Sequence, residues 1–356
     1  MMPNLFGLFC AGFDGLTVPD SLRHLLEQGL GGVVLFKRNL QSLEQVCRLT
    51  ADLRASAPSP LLIGVDQEGG RVTRLPPPFL APPPAGLLGR LDDPDLTAEL
   101  ARAVGKELRA AGINWNLAPV LDVCTNPANP VIGDRAYSDD PEGVARMGLA
   151  AIRGFQDAGV LTTAKHFPGH GDTAADSHLT LPESLQLAAR WRSVEFLPFS
   201  EAIRHGVPTL MVAHLACPAL DPNAPTSLSS IVIQDILRKE LGFAGAIVSD
   251  DMEMGAIVSR FDIGEASVRF LEAGGDLILI CRDIDGQRWA LTAVERALSS
   301  DRLTEAQLEA SLDRIATARR PVASAPVASD LTTAQSIVGC ASHRALLERI
   351  QRIAAV

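Results

Sequence analysis

Residues 161–178 read LTTAKHFPGHGDTAADSH. Within fourteen of them stand Lys165, His166, His170, Asp172, Asp176 and His178, which include three of the chain's seven histidines. Imidazoles titrate near neutrality, and a carboxylate beside one can hold its tautomer, so these residue types suit the movement of protons. The segment opens as a short apolar, β-branched run, which predicts a buried strand. It then passes through Pro168, Gly169 and Gly171 into a polar loop. Charged groups and histidines gathered where a strand becomes a loop form a candidate site.

Such a loop needs a frame. Short apolar runs recur at 5–10, 32–36, 61–66, 113–119, 161–167, 209–214, 246–250 and 276–280. Between and after them, stretches with apolar residues three and four apart predict helices over 20–29, 41–56, 95–111, 141–158, 190–205, 228–240, 262–273 and 286–299. Ser42 and Asp95 are expected as caps, and Gly29, Gly112, Gly159 and Gly206 as helix stops. Eight alternating strand–helix units, with strands apolar enough to be buried on both faces, predict an α/β fold of the TIM-type (β/α)8 class. A doubly wound open sheet is the rival, but no G-x-G-x-x-G follows the first strand.

In such a barrel the strand ends converge on one face. The third strand ends at Asp66, the fifth at Lys165 and His166, the sixth at His214, and the seventh at Asp250 and Asp251. Two longer excursions interrupt the alternation. PPPFLAPPPAG (76–86) is expected to be a stiff, extended wall or spacer. The loop 124–141, which carries Arg135, is long enough to face a substrate. The barrel is expected to span 1–320. A Pro/Ala/Ser linker and a terminal amphipathic helix over 342–354 should make up 321–356.

Composition narrows the class. The chain has 356 residues, 47% of them hydrophobic and 21% charged, with a net charge of −10. That balance speaks against nucleic acid and anionic membrane as partners. Cys10, Cys47, Cys124, Cys217, Cys281 and Cys340 lie far apart with no C-x-x-C, as expected of reduced cytosolic thiols. No apolar run approaches the roughly 20 residues of a membrane span, and the first residues do not read as a secretory signal. A cytoplasmic monomer is expected.

On the residues alone, three chemistries stay open. His166, His170 and Asp172 could hold a metal for hydrolysis, although Pro168 and two glycines remove the helical logic of H-x-x-x-H. A non-catalytic sugar- or anion-binding barrel is a second reading. The third is glycosyl transfer to water, with one aspartate as an ionised nucleophile and the histidine loop as proton donor. Asp250 and Asp251 compete for the nucleophile's place. Adjacent strand residues point to opposite faces, so only one of them should enter the cavity.

Five segments, KHFPGHGDTAADSHLTLP, IGVDQEGGRVTRLPPPF, GDRAYSDDP, LMVAHLACPALDPNAPTSLS and GFAGAIVSDDMEMGAI, carry a resemblance. Together they resemble glycoside hydrolase family 3, and specifically its single-domain bacterial β-N-acetylglucosaminidases of peptidoglycan recycling. The resemblance spans residues 5–300. It implies a barrel and a retaining exo-hydrolase that takes no metal or other cofactor. The implied substrate is a muropeptide, with N-acetylglucosamine β-1,4-linked to (anhydro-)N-acetylmuramic acid. It implies Asp250 as nucleophile, His178 as acid/base and Asp176 as the residue that orients His178. Asp66, Arg74, Arg135, Lys165 and His166 are implied as sugar-binding residues. The tail after 320 is not part of the shared pattern. Larger family members add a second domain near the site, so this chain is expected to build its pocket from barrel loops. A broad β-glucosidase or β-xylosidase is the alternative, and the DSH loop is the feature that argues against it.

Overall fold

The computed structural model describes residues 3–177, 179–323 and 331–355. Eight strands close into a parallel barrel in chain order. They are β1 (Phe9–Ala11), β2 (Gly32–Leu35), β3 (Leu62–Val65), β4 (Trp115–Asn116), β5 (Leu161–Phe167), β6 (Thr209–Val212), β7 (Ala246–Asp251) and β8 (Leu277–Ile280). β8 pairs back onto β1, with Cys10 beside Leu279. Every strand residue is buried except Asp250 and Asp251, which are half-buried at the end of β7. Strands covered on both faces are therefore largely apolar; the buried polar residues include Asn116, Lys165 and His166 near strand ends, and the two half-buried aspartates mark the mouth.

The helices follow the predicted stretches to within a few residues. Ser42 caps the helix Leu43–Ala55 by accepting the N–H of Gln45. Asp93, rather than Asp95, caps Pro94–Ala110, because Pro94 takes the first helical position and moves the start forward. Four glycines in the left-handed region, Gly29, Gly112, Gly159 and Gly206, follow helices as expected. β1 begins later than expected, since Leu5–Leu8 form a tight helical turn capped by Asn4.

The fourth run is shorter in ladder than in sequence. Pro119 has no N–H to give, and regular pairing stops at Asn116. The backbone nevertheless stays beside β5. Thr163 and Lys165 donate to the carbonyls of Ala118 and Pro119, and Leu121 donates back to Lys165. This carries Asp122 to the same mouth as the other strand ends.

Beyond β8 the chain is more helical than expected. A helix Glu305–Ala323 runs past the predicted boundary at 320, and Leu331–Ile337 forms another. The rest of the expected linker, 324–330, lies outside the described residues. The helix Ala341–Ala354 buries Leu346 and Ile350.

Candidate active site

The mouth of the barrel holds a cavity of about 200 Å³. It is smaller than the roughly 300–1,000 Å³ of pockets for drug-sized ligands, and suits one sugar ring rather than a chain. Asp66, Arg74, Arg135, Lys165, His166 and Asp250 all line it. Of the site residues that the resemblance implies, each described one but Asp176 is therefore brought to a wall of this space, while Asp172 and His214 do not line it. His178 lies outside the described residues.

One side is an ion network. Lys165, 3% exposed, donates to Asp66 at 2.7 Å and to Glu68 at 2.6 Å. Arg135 grips Glu68 with two parallel hydrogen bonds of 2.7 and 2.8 Å. Burial opposes ionisation of Glu68, but Lys165 and Arg135 outweigh it and hold its carboxyl far below the usual carboxylate range. Glu68 is therefore an anchor for cations and a poor proton donor. Burial likewise works against the charge on Lys165, yet Asp66 and Glu68 keep it protonated. Arg74 stands 3.7 Å from Asp66, and its Nε has no partner among the described residues.

The other side centres on Asp122, a residue that the motif reading passes over. It is fully buried. Its carboxylate accepts from His166 Nδ1 at 2.7 Å and from the backbone N–H of His170 at 2.6 Å. Burial resists its ionisation, and the two histidines reverse that. On the opposite edge of the ring, His166 Nε2 faces the Arg135 guanidinium at 3.4 Å. A carboxylate can only accept and a guanidinium can only donate, so the His166 proton sits on Nδ1. The one signal for Asp122 in sequence is a lone charge inside the apolar run LAPVLDVC.

His170 is buried and lines the cavity, but its ring nitrogens are taken by protein groups. Its ring nitrogens contact Thr173 Oγ1 at 2.6 Å and Ser177 Oγ at 3.2 Å, and burial keeps it neutral. Ser177 lines the cavity, and its carbonyl accepts the N–H of Ala256, beyond the end of β7. Asp176, half-buried, accepts the N–H groups of Leu179 and Thr180 on its carbonyl. Asp172 points elsewhere, to Thr125, Ser184 and Gln186. His166, His170 and Asp172 thus do not converge as a ligand set, and no metal-holding cluster occurs among the described residues.

At the end of β7 both aspartates border the cavity. The expectation that only one would enter fails because the pairing of β7 with β8 shifts register between Val248 and Asp251, which breaks the strict alternation. Their environments differ. Asp251 Oδ1 accepts the backbone N–H groups of Glu253 and Cys281 at 3.1 and 3.2 Å, and burial pushes its carboxyl up to about 7. Burial would raise Asp250 as well, but the His214 and His166 rings, the Asp251 N–H and the Lys165 cation bring it below the usual range. Burial keeps His214 neutral, so Lys165 is the lasting charge in that set. Among the described residues, the Asp251 N–H is the one donor to the Asp250 carboxylate, at 2.9 Å. An ionised and otherwise unoccupied carboxylate faces a sugar-sized space.

With this geometry the chain is a glycoside hydrolase. It belongs to glycosyl hydrolase family 3, whose N-terminal domain matches residues 17–318. It is 40% identical over 293 residues to a β-hexosaminidase of Nitrosomonas eutropha, covering 80% of this chain and 84% of that one. To β-hexosaminidase A of Pseudoalteromonas piscicida it is 35% identical, spanning 93% of this chain but 60% of that one. A solved family 3 β-N-acetylglucosaminidase from Paenibacillus sp. str. FPU-7 superimposes with a TM-score of 0.94 at 43% identity. That match covers 99% of this chain and 68% of the other.

Proposed function

We propose that the protein is a retaining exo-β-N-acetylglucosaminidase. The observation that carries this reading is Asp250, held ionised on the cavity wall while the neighbouring carboxylates are occupied by cations or backbone donors. Asp250 attacks the anomeric carbon as the bond to the leaving oxygen breaks, giving a covalent glycosyl–enzyme. His178 gives that oxygen a proton, then takes one from the water that hydrolyses the intermediate. It follows Ser177, a cavity-lining residue, directly in the chain. Asp176 holds the His178 ring. Asp66 and Arg74 bind sugar hydroxyls, and Lys165, Arg135 and His166 bind sugar while keeping the wall cationic.

The names of the relatives support N-acetylhexosamine as the sugar. Val72, Val131 and Met254 add apolar wall to the cavity, against which an acetyl methyl can pack. The leaving group is proposed to be the (anhydro-)N-acetylmuramic acid of a muropeptide, released during peptidoglycan recycling in the cytoplasm by a monomer. Six free cysteines support a reducing compartment. Among the described residues no helix is long and apolar enough to cross a membrane. Turnover of aryl β-N-acetylglucosaminide against aryl β-glucoside tests the assignment. A strong preference for the first is expected; equal rates would make this a broad β-glucosidase instead.

A further inference from the structure

Residues 331–355 lie beyond the matched family segment, which ends at 318, yet they reach the back of the sugar site. The contact runs through Glu107, on the helix Pro94–Ala110, which is 1% exposed. Its carboxylate gathers donors from two distant segments. Oε2 accepts the backbone N–H of Leu80, in the proline connection, at 2.7 Å. Oε1 accepts the N–H of Gly339 at 2.9 Å and His343 Nδ1–H at 2.7 Å. A buried carboxylate persists only where donors replace its water, and here the tail supplies two of the three.

The contact continues toward the cavity. The Leu80 carbonyl accepts from Gln67 Nε2 at 3.1 Å, and Gln67 Oε1 accepts the N–H of Arg74 at 2.9 Å. Gln67 stands between Asp66 and Glu68 in the chain, and the Asn116 side chain holds both its backbone N–H and its carbonyl. Gly339 adopts φ +60° and approaches Pro78 so closely that a Cβ would lie 2.4 Å from its carbonyl oxygen. The tail presses on the proline connection from outside, and the connection fixes Gln67 from inside.

We propose that Glu107 is a positioning residue for sugar binding, through which the segment 331–355 sets the placement of Asp66, Glu68 and Arg74. This rests on the proposed sugar-binding roles of Asp66 and Arg74. Glu107 is not among the residues that line the cavity. Its loss therefore loosens groups that hold the bound sugar in ground and transition states alike, and such losses appear in KM rather than kcat.

Glu107→Gln, His343→Ala and Gln67→Ala in the full chain, assayed with aryl β-N-acetylglucosaminide, test this. Glutamine keeps the size of the side chain but turns an NH2 toward one of the donors. KM is expected to rise about three- to tenfold, the scale of one lost hydrogen-bonded restraint, with kcat held within about twofold. Glu107→Gln combined with Gln67→Ala should be little worse than Gln67→Ala alone, because both break one linkage. Arg349→Ala, which removes the tail's separate pair with Glu99, should leave KM unchanged. If Glu107→Gln does not fold, His343→Ala removes one donor of the three and should show a smaller rise. An unchanged KM in these variants, a fall confined to kcat, or fully additive effects would overturn the proposal. A wild-type protein inactive on this glycoside would overturn the functional reading and this one with it, a failure that shows without any substitution.

Discussion

Asp250 and Asp251 are neighbours in sequence whose carboxyls are shifted in opposite directions, and each makes a prediction. The Asp251 carboxyl is pushed up to about 7, so around pH 4–7 the folded chain keeps a proton that the unfolded chain releases. The stability this group contributes is present at low pH and lost as pH rises through about 7. Asp251→Asn keeps the acceptor for Glu253 and Cys281 and should flatten that decline, as urea unfolding at pH of about 4.5 and 7.5 would show. Asp250→Ala should lower turnover by several orders of magnitude for every leaving group, because attack is common to all of them. His178→Ala should be selective. A nitrophenolate departs without a proton and a sugar hydroxyl does not. Disaccharide cleavage should therefore fall about 10²–10⁴-fold, while the burst from an aryl glycoside is largely spared; equal losses would make His178 a binding residue. Lys165 and Asp250 were legible because polar residues that close apolar runs stand out. Asp122 was not, because a carboxylate whose partners are a ring and a backbone N–H from another strand leaves no local pattern.

At the scale of elements, the histidine loop divides in two. Gly169 and Gly171, through which the segment enters its loop, are close approaches. A Cβ on Gly169 would lie 2.9 Å from Glu195 Cβ, and one on Gly171 would lie 1.8 Å from the Val123 carbonyl oxygen. With His170 and Thr173 buried and bonded to each other, the first half is fixed by packing. Gly171→Ala should destabilise the fold by about 1–3 kcal/mol, read as a lower melting temperature; a neutral effect would mean that the contact relaxes freely. Any closure over substrate should lie after Thr173. Hydrogen exchange is expected to be slow over 169–173, and faster over 174–177 until a ligand is added. Strands and helices were readable because burial on two faces or on one leaves periodic runs. The two-residue ladder of β4 was not, since Pro119 ends the pairing while the chain keeps its course.

The whole molecule brings to one cavity residues that lie from 34 to 281 in the chain, which closure of the barrel does. The barrel was legible from eight alternating units. The packing of 331–355 against Glu107 was not, because its partners are a buried carboxylate and a proline turn more than two hundred residues earlier. Since protein partners occupy His170 and Asp172, and His166 is turned to Asp122 and Arg135, activity should survive exhaustive chelation; a loss restored by zinc would return the metallohydrolase reading. The proposed reaction turns on a covalent bond between sugar and Asp250. Incubation with a fluorinated N-acetylglucosaminyl fluoride, which slows breakdown of the intermediate, followed by peptide mass spectrometry, tests it directly. One glycosyl unit is expected on the peptide that carries Asp250, fragmenting to that residue and absent from Asp250→Ala. A sugar on Asp251, or turnover with no adduct and an inverted product, would contradict it.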